Sequence, residues 1–211
     1  MIKAIFWDND GILVDTEQYY YRATKDVLAG VGADLTLELF AELLLKQAKG
    51  AWHLATEQGC SKQEVDELHK QRNLNYLELL KTENIGLPDV EDVLKQLYGK
   101  ITMCIVTSSL KDTFAVIHER TGFLKYIDFV LASGDYAASK PDPSPYLTAL
   151  AKSGLKAEEC IVIEDSQRGL LAAKAAGLKC WVIPTTLTRD QDFSQADKIL
   201  TSIKDVPALL L

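Results

Sequence analysis

Disulfide pairs, basic clusters and long apolar runs are absent from this sequence, and each absence removes a class of function. The four cysteines, Cys60, Cys104, Cys160 and Cys180, form no C-x-x-C pair. The last three lie in apolar runs, where a small buried thiol is the default. Unpaired thiols fit a reducing cytoplasm, which is the expected location. No apolar run approaches the roughly 18 residues that would cross a bilayer, so no membrane contact is expected. The first residues run straight into a strand-like segment without a charged-then-apolar leader, so no signal peptide is expected either. Acidic residues outnumber basic ones 30 to 23, for a formal net charge of −7. No basic cluster follows a helix face, which argues against nucleic acid as a partner. Histidine is scarce too: His53, His69 and His118 share no metal-ligand spacing and read as surface or packing residues. Whatever chemistry this chain performs is not expected to be histidine chemistry.

What remains is an ordinary globular composition, 47% apolar and 25% charged over 211 residues, enough for a good core with an insertion. An apolar run (Ile2, Ala4, Ile5, Phe6, Trp7) reads as a buried strand. Residues 16–31 then read as a helix with Tyr19, Ala23 and Val27 on one face, and 36–49 as a second amphipathic helix. Gly50 and Gly59 bracket a shorter helix carrying Trp52 and Leu54. Ser61 with Glu64 three residues on forms a capping box, opening a long helix to about Lys81. No strand signal occurs from 16 to 83, and 84–89 is the best linker in the chain. Beyond it, strands at 101–106, 129–132, 160–163 and 180–183 alternate with helices at 89–98, 110–120, 144–153 and 166–176. That alternation predicts an α/β fold, a Rossmann-like doubly wound parallel sheet. The N-terminal strand would join the sheet. Residues 1–15 and 85–211 then form the core domain, and 16–84 an inserted all-helical domain.

The first strand ends abruptly in acid, within FWDNDGILVDTE at 6–17. Two carboxylates, Asp8 and Asp10, at the end of a buried strand are costly unless something positive sits between them. A hard divalent cation with oxygen ligands answers that need, and Mg2+ with few protein ligands suits an exposed strand end. Gly11 lets the backbone turn tightly or lie close to a ligand. A calcium loop would need further oxygen ligands where the chain has Ile12, Val14 and Tyr19, so it fails. A simple Asp-x-Asp-Gly hairpin turn remains open for this stretch taken by itself.

In open parallel sheets ligands bind outside the carboxyl ends of the strands, which gives the sequence a test. The second strand ends in Thr107-Ser108-Ser109, the third leads to Ser139-Lys140-Pro141-Asp142-Pro143, and the fourth ends in Glu164-Asp165-Ser166. Singly, each is weak: a helix cap, a surface turn, a solvated acidic pair. Together they place a hydroxyl, an ammonium and two acidic clusters on one edge. Each has a part in phosphoryl transfer, where positioning and charge neutralisation dominate. Thr107 can donate to a phosphoryl oxygen, and Ser108 can add a backbone N–H near a helix N-terminus. Lys140 can act as a point charge between nucleophile and phosphate. Asp165 can close a metal site opposite Asp8, with Glu164 in or just behind the ligand set.

These stretches resemble the four motifs of the haloacid dehalogenase-like superfamily. The run at 6–17 is similar to motif I, apolar residues followed by D-x-D-G-x-[LIV]-x-D-[ST]. Asn9 stands where an apolar residue is more usual, and strand alternation turns it away from the site. Thr107 matches motif II, Lys140 in its K-P-x-P setting motif III, and Glu164-Asp165-Ser166 with Gly169 motif IV. Residues 16–84 resemble the helical C1 cap of the subgroup with phosphoglycolate phosphatases and beta-phosphoglucomutases. The resemblance implies that Asp8 is a nucleophile taking a phosphoryl group and that Asp10 is an acid/base. It also implies Mg2+ held by Asp8, Asp165, Glu164 and the backbone carbonyl of Asp10. Asp10 excludes the haloalkanoate dehalogenase and phosphonatase branches, which lack that second carboxylate.

The function expected on these grounds is a Mg2+-dependent phosphatase, monomeric, acting on a small phosphorylated metabolite such as a sugar, polyol or glycolate phosphate. A hexose-phosphate mutase of the beta-phosphoglucomutase type is the nearest rival. The mutase histidine of the hinge helix, which helps couple closure to catalysis, is replaced here by Tyr20, which has no imidazole. A receiver-like signalling domain would place the acidic pair first and the phosphoacceptor mid-chain, opposite to the order here. In the helical insertion, Arg72 and Lys49 are the substrate candidates, Arg72 with the competing reading of a solvated helix residue and Lys49 with that of a lysine drawn to a helix end by its dipole. That insertion is expected to close as a lid about 12–17 and 84–89.

Overall fold

The structure, a computed structural model, describes residues 1–47 and 49–210 and divides into two compact units, Met1–Asp15 with Ile85–Leu211 and Thr16–Asn84. The first unit opens with β1 (Ala4–Trp7). The second holds α1 (Glu17–Ala29), α2 (Leu37–Phe40), a π-helical turn (Ala41–Lys46), α3 (His53–Glu57) and α4 (Lys62–Thr82). The chain then returns to the first unit with α5 (Val90–Leu97), β2 (Thr102–Val106), α6 (Lys111–Thr121) and β3 (Phe129–Leu131). It continues through α7 (Ser144–Ser153), β4 (Cys160–Glu164), α8 (Gln167–Ala175), β5 (Lys179–Val182), β6 (Lys198–Ile199) and α9 (Asp205–Leu210).

All six strands are parallel, in the order β3-β2-β1-β4-β5-β6. β1 therefore sits where the winding reverses, pairing β2 on one side and β4 on the other, and its carboxyl end is the natural ligand position. All four of its side chains are fully buried, as a strand covered on both faces requires. Burying a side chain such as Phe6 is worth about 1.5–3 kcal/mol. Alternation sends Ala4 and Phe6 into one core layer with Cys104, Val106, Cys160, Val162, Cys180 and Val182. α7 covers that layer over β1 and β2, and α8 over β4 and β5, with Tyr146, Ala149, Leu170 and Ala173 facing in. The buried faces of α5 (Val93, Leu94, Leu97) and α6 (Phe114, Ile117) supply further core. All four cysteines are free thiols, and among the described residues no helix is long and apolar enough to cross a membrane.

The helical unit keeps the Ser61–Glu64 capping box at the start of α4, with Glu64 N–H donating to Ser61 Oγ at 3.3 Å. The helix expected over 36–49 differs. Only Leu37–Phe40 is α-helical, and a π turn follows, closed by the wide bond from Gln47 N–H to Glu42 O at 3.1 Å. Phe40 and Leu45, five residues apart, are both buried, and the looser π winding brings residues at that spacing nearer to one face. Ala48, within the expected helix, lies outside the described residues. Where the chain leaves and re-enters the first unit, Val14 bridges Gly86 and Asp15 N–H donates to Ile85 O at 2.9 Å.

Candidate active site

Asp8 follows β1 directly, and its N–H continues the ladder to Ile163 O at 2.9 Å. Lys140, after a cis peptide to Pro141, sends its ammonium between two carboxylates. Nζ donates to Asp8 Oδ1 at 2.5 Å, Glu164 Oε1 at 2.7 Å and Val106 O at 2.9 Å, which occupies all three of its protons. Burial works against the ammonium, but the charges of Asp8 and Glu164 outweigh it, so the lysine pKa rises and Lys140 stays charged. Asp8 moves the other way from most ion-paired carboxylates. Burial first, then the Glu164 charge, push its pKa up to about 7, with Lys140 only partly offsetting them.

Glu164 is saturated with donors. Tyr146 O–H joins Lys140 at Oε1, at 2.7 Å. Oε2 takes Ser166 Oγ at 3.1 Å, Asp165 N at 3.2 Å and Ser166 N at 3.4 Å. Burial alone would raise its pKa, yet Lys140, Tyr146 and Ser166 hold it below the usual carboxylate value. The carboxylate rests over the first turn of α8, where a Cβ on Gly169 would fall 1.9 Å from it. Gly11, at φ +85°, has the same function opposite Asp165, since a Cβ there would lie 2.5 Å from Asp165 Oδ2.

Ligand oxygens of Asp8, Glu164 and Asp165 lie within 4.8 Å of one another. Three buried carboxylates against one ammonium leave excess negative charge, and an all-oxygen donor set of this kind fits a hard divalent cation. The five donors on Glu164 make it the holder of Lys140, and leave Asp8 and Asp165 as the better-disposed ligands.

Asp10 turns toward the end of β2. Its Oδ2 accepts from Ser109 Oγ at 2.9 Å and Thr107 Oγ1 at 3.3 Å. Thr107 is itself tied by Ser109 N–H at 3.0 Å to its hydroxyl and by Tyr136 O–H at 2.7 Å to its carbonyl. The Ser108 hydroxyl beside them is buried and makes no hydrogen bond. The structure thus gathers Asp8, Asp10, Thr107, Ser108, Lys140, Glu164 and Asp165 at one sheet edge.

The sequence reading missed Ser109 and Tyr146, and it took Asn9 and His118 for bystanders. Asn9 does turn away from Asp8, but it is fully buried and its side chain meets His118 Nε2 at 2.8 Å. His118 is neither a surface residue nor mere packing. The signal was available: a histidine four residues after Phe114, on the apolar stripe of α6, is a buried polar group that needs a partner.

In the helical unit, Arg72 is buried with its guanidinium 4.2 Å from the Tyr20 ring centre and 5.4 Å from that of Trp52. Its Nε donates to Asn73 Oδ1 at 2.9 Å. Lys49 is exposed and lines, with Arg72, Tyr20 and Trp52, a cavity of about 20 Å³. That volume admits about one water molecule, not a metabolite.

A doubly wound sheet with carboxylates, a lysine and hydroxyls at the carboxyl end of its central strand defines a class, the α/β enzymes that work on an acidic side chain at a strand end. Residues 5–183 match the haloacid dehalogenase-like hydrolase family, and the chain belongs to it. It is 32% identical to protein CbbY of Rhodobacter capsulatus over 93% of this chain and 91% of that protein. It is 28% identical to a phosphorylated carbohydrates phosphatase of Thermotoga maritima over 84% and 83%. A CbbY variant from Rhodobacter sphaeroides, solved with xylulose-(1,5)bisphosphate, superposes with a TM-score of 0.81 at 27% identity, covering 96% of this chain and 95% of that one. The expected enzyme class, a phosphoric monoester hydrolase, is thus the class its named relatives belong to.

Proposed function

We propose that the protein is a Mg2+-dependent phosphatase that hydrolyses a small sugar, polyol or glycolate phosphate in a reducing cytoplasm, through an aspartyl-phosphate on Asp8. The observation that carries this reading is Lys140, whose buried ammonium ties Asp8 to Glu164 while Asp165 brings a third carboxylate oxygen within 4.8 Å of theirs. Mg2+ held by Asp8, Asp165 and the Asp10 carbonyl would offset phosphate charge and draw the Asp8 pKa back down.

Asp8 attacks phosphorus with one carboxylate oxygen, and the bond from phosphorus to the leaving alkoxide breaks. Asp10 gives its proton to that alkoxide, then takes one from the water that attacks the aspartyl-phosphate, so that phosphate leaves and both carboxyls return to their starting state. On substrate binding, the Thr107 O–H turns from Asp10 to the phosphoryl oxygens beside Ser108, and Lys140 offsets their charge. Ser109 keeps the Asp10 carboxylate aimed between alkoxide and water. In the helical unit, Arg72 and Lys49 are the substrate-selecting candidates. Arg72, pinned between aromatic rings, suits a fixed cation for a second anionic group on the substrate.

Purified protein with MgCl2 and a panel of phosphorylated sugars, polyols and glycolate should release inorganic phosphate, and Asp8→Asn should not. Rapid conversion of beta-glucose 1-phosphate to glucose 6-phosphate, with a trace of bisphosphate and negligible free phosphate, would replace the phosphatase by a mutase. Turnover by Asp8→Asn within tenfold of wild type would overturn the aspartyl-phosphate route.

A further inference from the structure

A buried polar chain runs from α6 to the proposed acid/base. Thr121 Oγ1 lies 2.9 Å from His118 Nδ1, and His118 Nε2 lies 2.8 Å from Asn9 Oδ1. At its far end, Asn9 Nδ2 donates to Asp10 Oδ2 at 3.4 Å. Asn9 Nδ2 is the donor to Asp10 Oδ2, so the amide turns its NH2 to Asp10 and its carbonyl to His118. His118 must then carry its proton on Nε2, which leaves Nδ1 to accept from Thr121 O–H. Thr121 Oγ1 is free to donate because its own accepted bond comes from Phe123 N–H at 3.3 Å.

The same residue also holds the backbone under Asp10. Asn9 O accepts from Leu13 N–H at 2.8 Å, Val14 N–H at 3.1 Å and Ile12 N–H at 3.4 Å, and Gly11 N–H closes on Val14 O at 2.8 Å. Asn9 is therefore the hub of the turn that carries Asp10, and its side chain is anchored from outside that turn by His118.

We propose that His118 is a positioning residue for Asp10, acting through the Asn9 side-chain amide. The inference rests on the reading of Asp10 as acid/base. Without the imidazole N–H, the Asn9 amide is free to turn over and set its carbonyl against the Asp10 carboxylate. The turn then loses its only side-chain anchor to α6 among the bonds described here. Burial keeps His118 neutral, with its pKa pushed down to about 4, so the imidazole donates a single proton at any working pH.

A double-mutant cycle tests this with para-nitrophenyl phosphate and MgCl2. His118→Phe, which keeps the ring volume, should lower kcat about tenfold while KM and the Mg2+ half-saturation stay within twofold. His118→Gln, whose amide N–H can reach Asn9, should stay within threefold of wild type. In an Asn9→Leu background, His118→Phe should have no further effect, because the link it breaks is already gone. An equal loss in both backgrounds, or His118→Gln as poor as His118→Phe, would show that the histidine merely supports the fold and would overturn the proposal. So would wild-type kcat in His118→Phe. If His118→Phe fails to fold, His118→Leu enters the same cycle. Asp10→Asn is measured alongside: activity within tenfold of wild type would sink the acid/base reading itself, whereas an inactive Asp10→Asn with an additive cycle would sink only the part assigned to His118.

Discussion

Asp8→Asn should make the metal-free protein more stable, although it removes a carboxylate that touches a lysine. Burial and the Glu164 charge raise the Asp8 pKa from 3.8 to about 7 even with Lys140 at 2.5 Å. A raised carboxyl pKa means that the folded chain holds this proton more tightly than the unfolded chain. The resulting stability is complete below pH 3.8 and is lost as pH rises to about 7. Above that, folding keeps an ionised group in a site that disfavours it. Across the window the change is about 4 kcal/mol, at about 1.4 kcal/mol per pH unit. Asn has no proton to lose, so its advantage should grow from pH 4 upward and level off above pH 7. Allowing for a weaker bond from Lys140 to the amide oxygen leaves about 2–4 kcal/mol at pH 8, a Tm increase of roughly 5–15 °C for a chain of this length. His118 acts in the opposite sense, since a buried neutral histidine loses stability as pH falls below about 6.5, but it does so equally in both proteins. Thermal unfolding in EDTA at pH 5, 6.5 and 8 isolates residue 8. A variant Tm at or below wild type at pH 8, or a difference that does not shrink toward pH 5, would refute the electrostatic argument.

Lys140→Met leaves Asp8 and Glu164 facing each other in the interior, and urea unfolding at pH 8 should show a loss of about 3–5 kcal/mol. A loss under 1 kcal/mol would mean that the ammonium is not what holds those carboxylates. Gly11→Ala should place a methyl against Asp165 and weaken Mg2+ binding at least tenfold by calorimetry, and unchanged affinity would remove Asp165 from the metal site. Tyr146→Phe removes one neutral donor from Glu164, so stability should fall by about 1–2 kcal/mol while activity with para-nitrophenyl phosphate falls less than tenfold. A complete loss of activity would make Tyr146 more than a support for Glu164.

The strand ends were legible because each change from apolar run to polar cluster is local. Ala4–Trp7 into Asp8, Thr102–Val106 into Thr107 and Cys160–Glu164 into Asp165 need no tertiary knowledge. The parallel direction of the strands followed from their alternation with helices. β6 was not legible, since Lys198 and Ile199 are both exposed and two residues carry no periodicity. The π turn at Ala41–Lys46 was hidden because its apolar residues also fit an α-helical stripe, and only the i→i−5 bond separates the two. Within the site, what escaped was pairing over distance. Ser109 reaches Asp10 across 99 residues and His118 reaches Asn9 across 109. The place of His118 on an apolar stripe shows that it needs a partner, but which partner it takes, like that of Ser109, emerges only once β1 lies beside β2.

The ammonium shared by Asp8 and Glu164 also constrains how the molecule comes into being. Lys140 stands 132 residues from Asp8, and Glu164 another 24 beyond it. Closing loops of that length carries a large entropic penalty before any contact rewards it, and such topologies fold slowly. During synthesis Asp8 leaves the ribosome long before its lysine does, at the tip of an apolar strand whose two neighbours do not yet exist. Until β4 arrives, β1 has one open flank able to pair with another chain, a hazard shared by folding intermediates of this size. Lys140 and Glu164 reach Asp8 only as the later strands join, so recovery of activity after denaturation would time the arrival of β4 in the sheet.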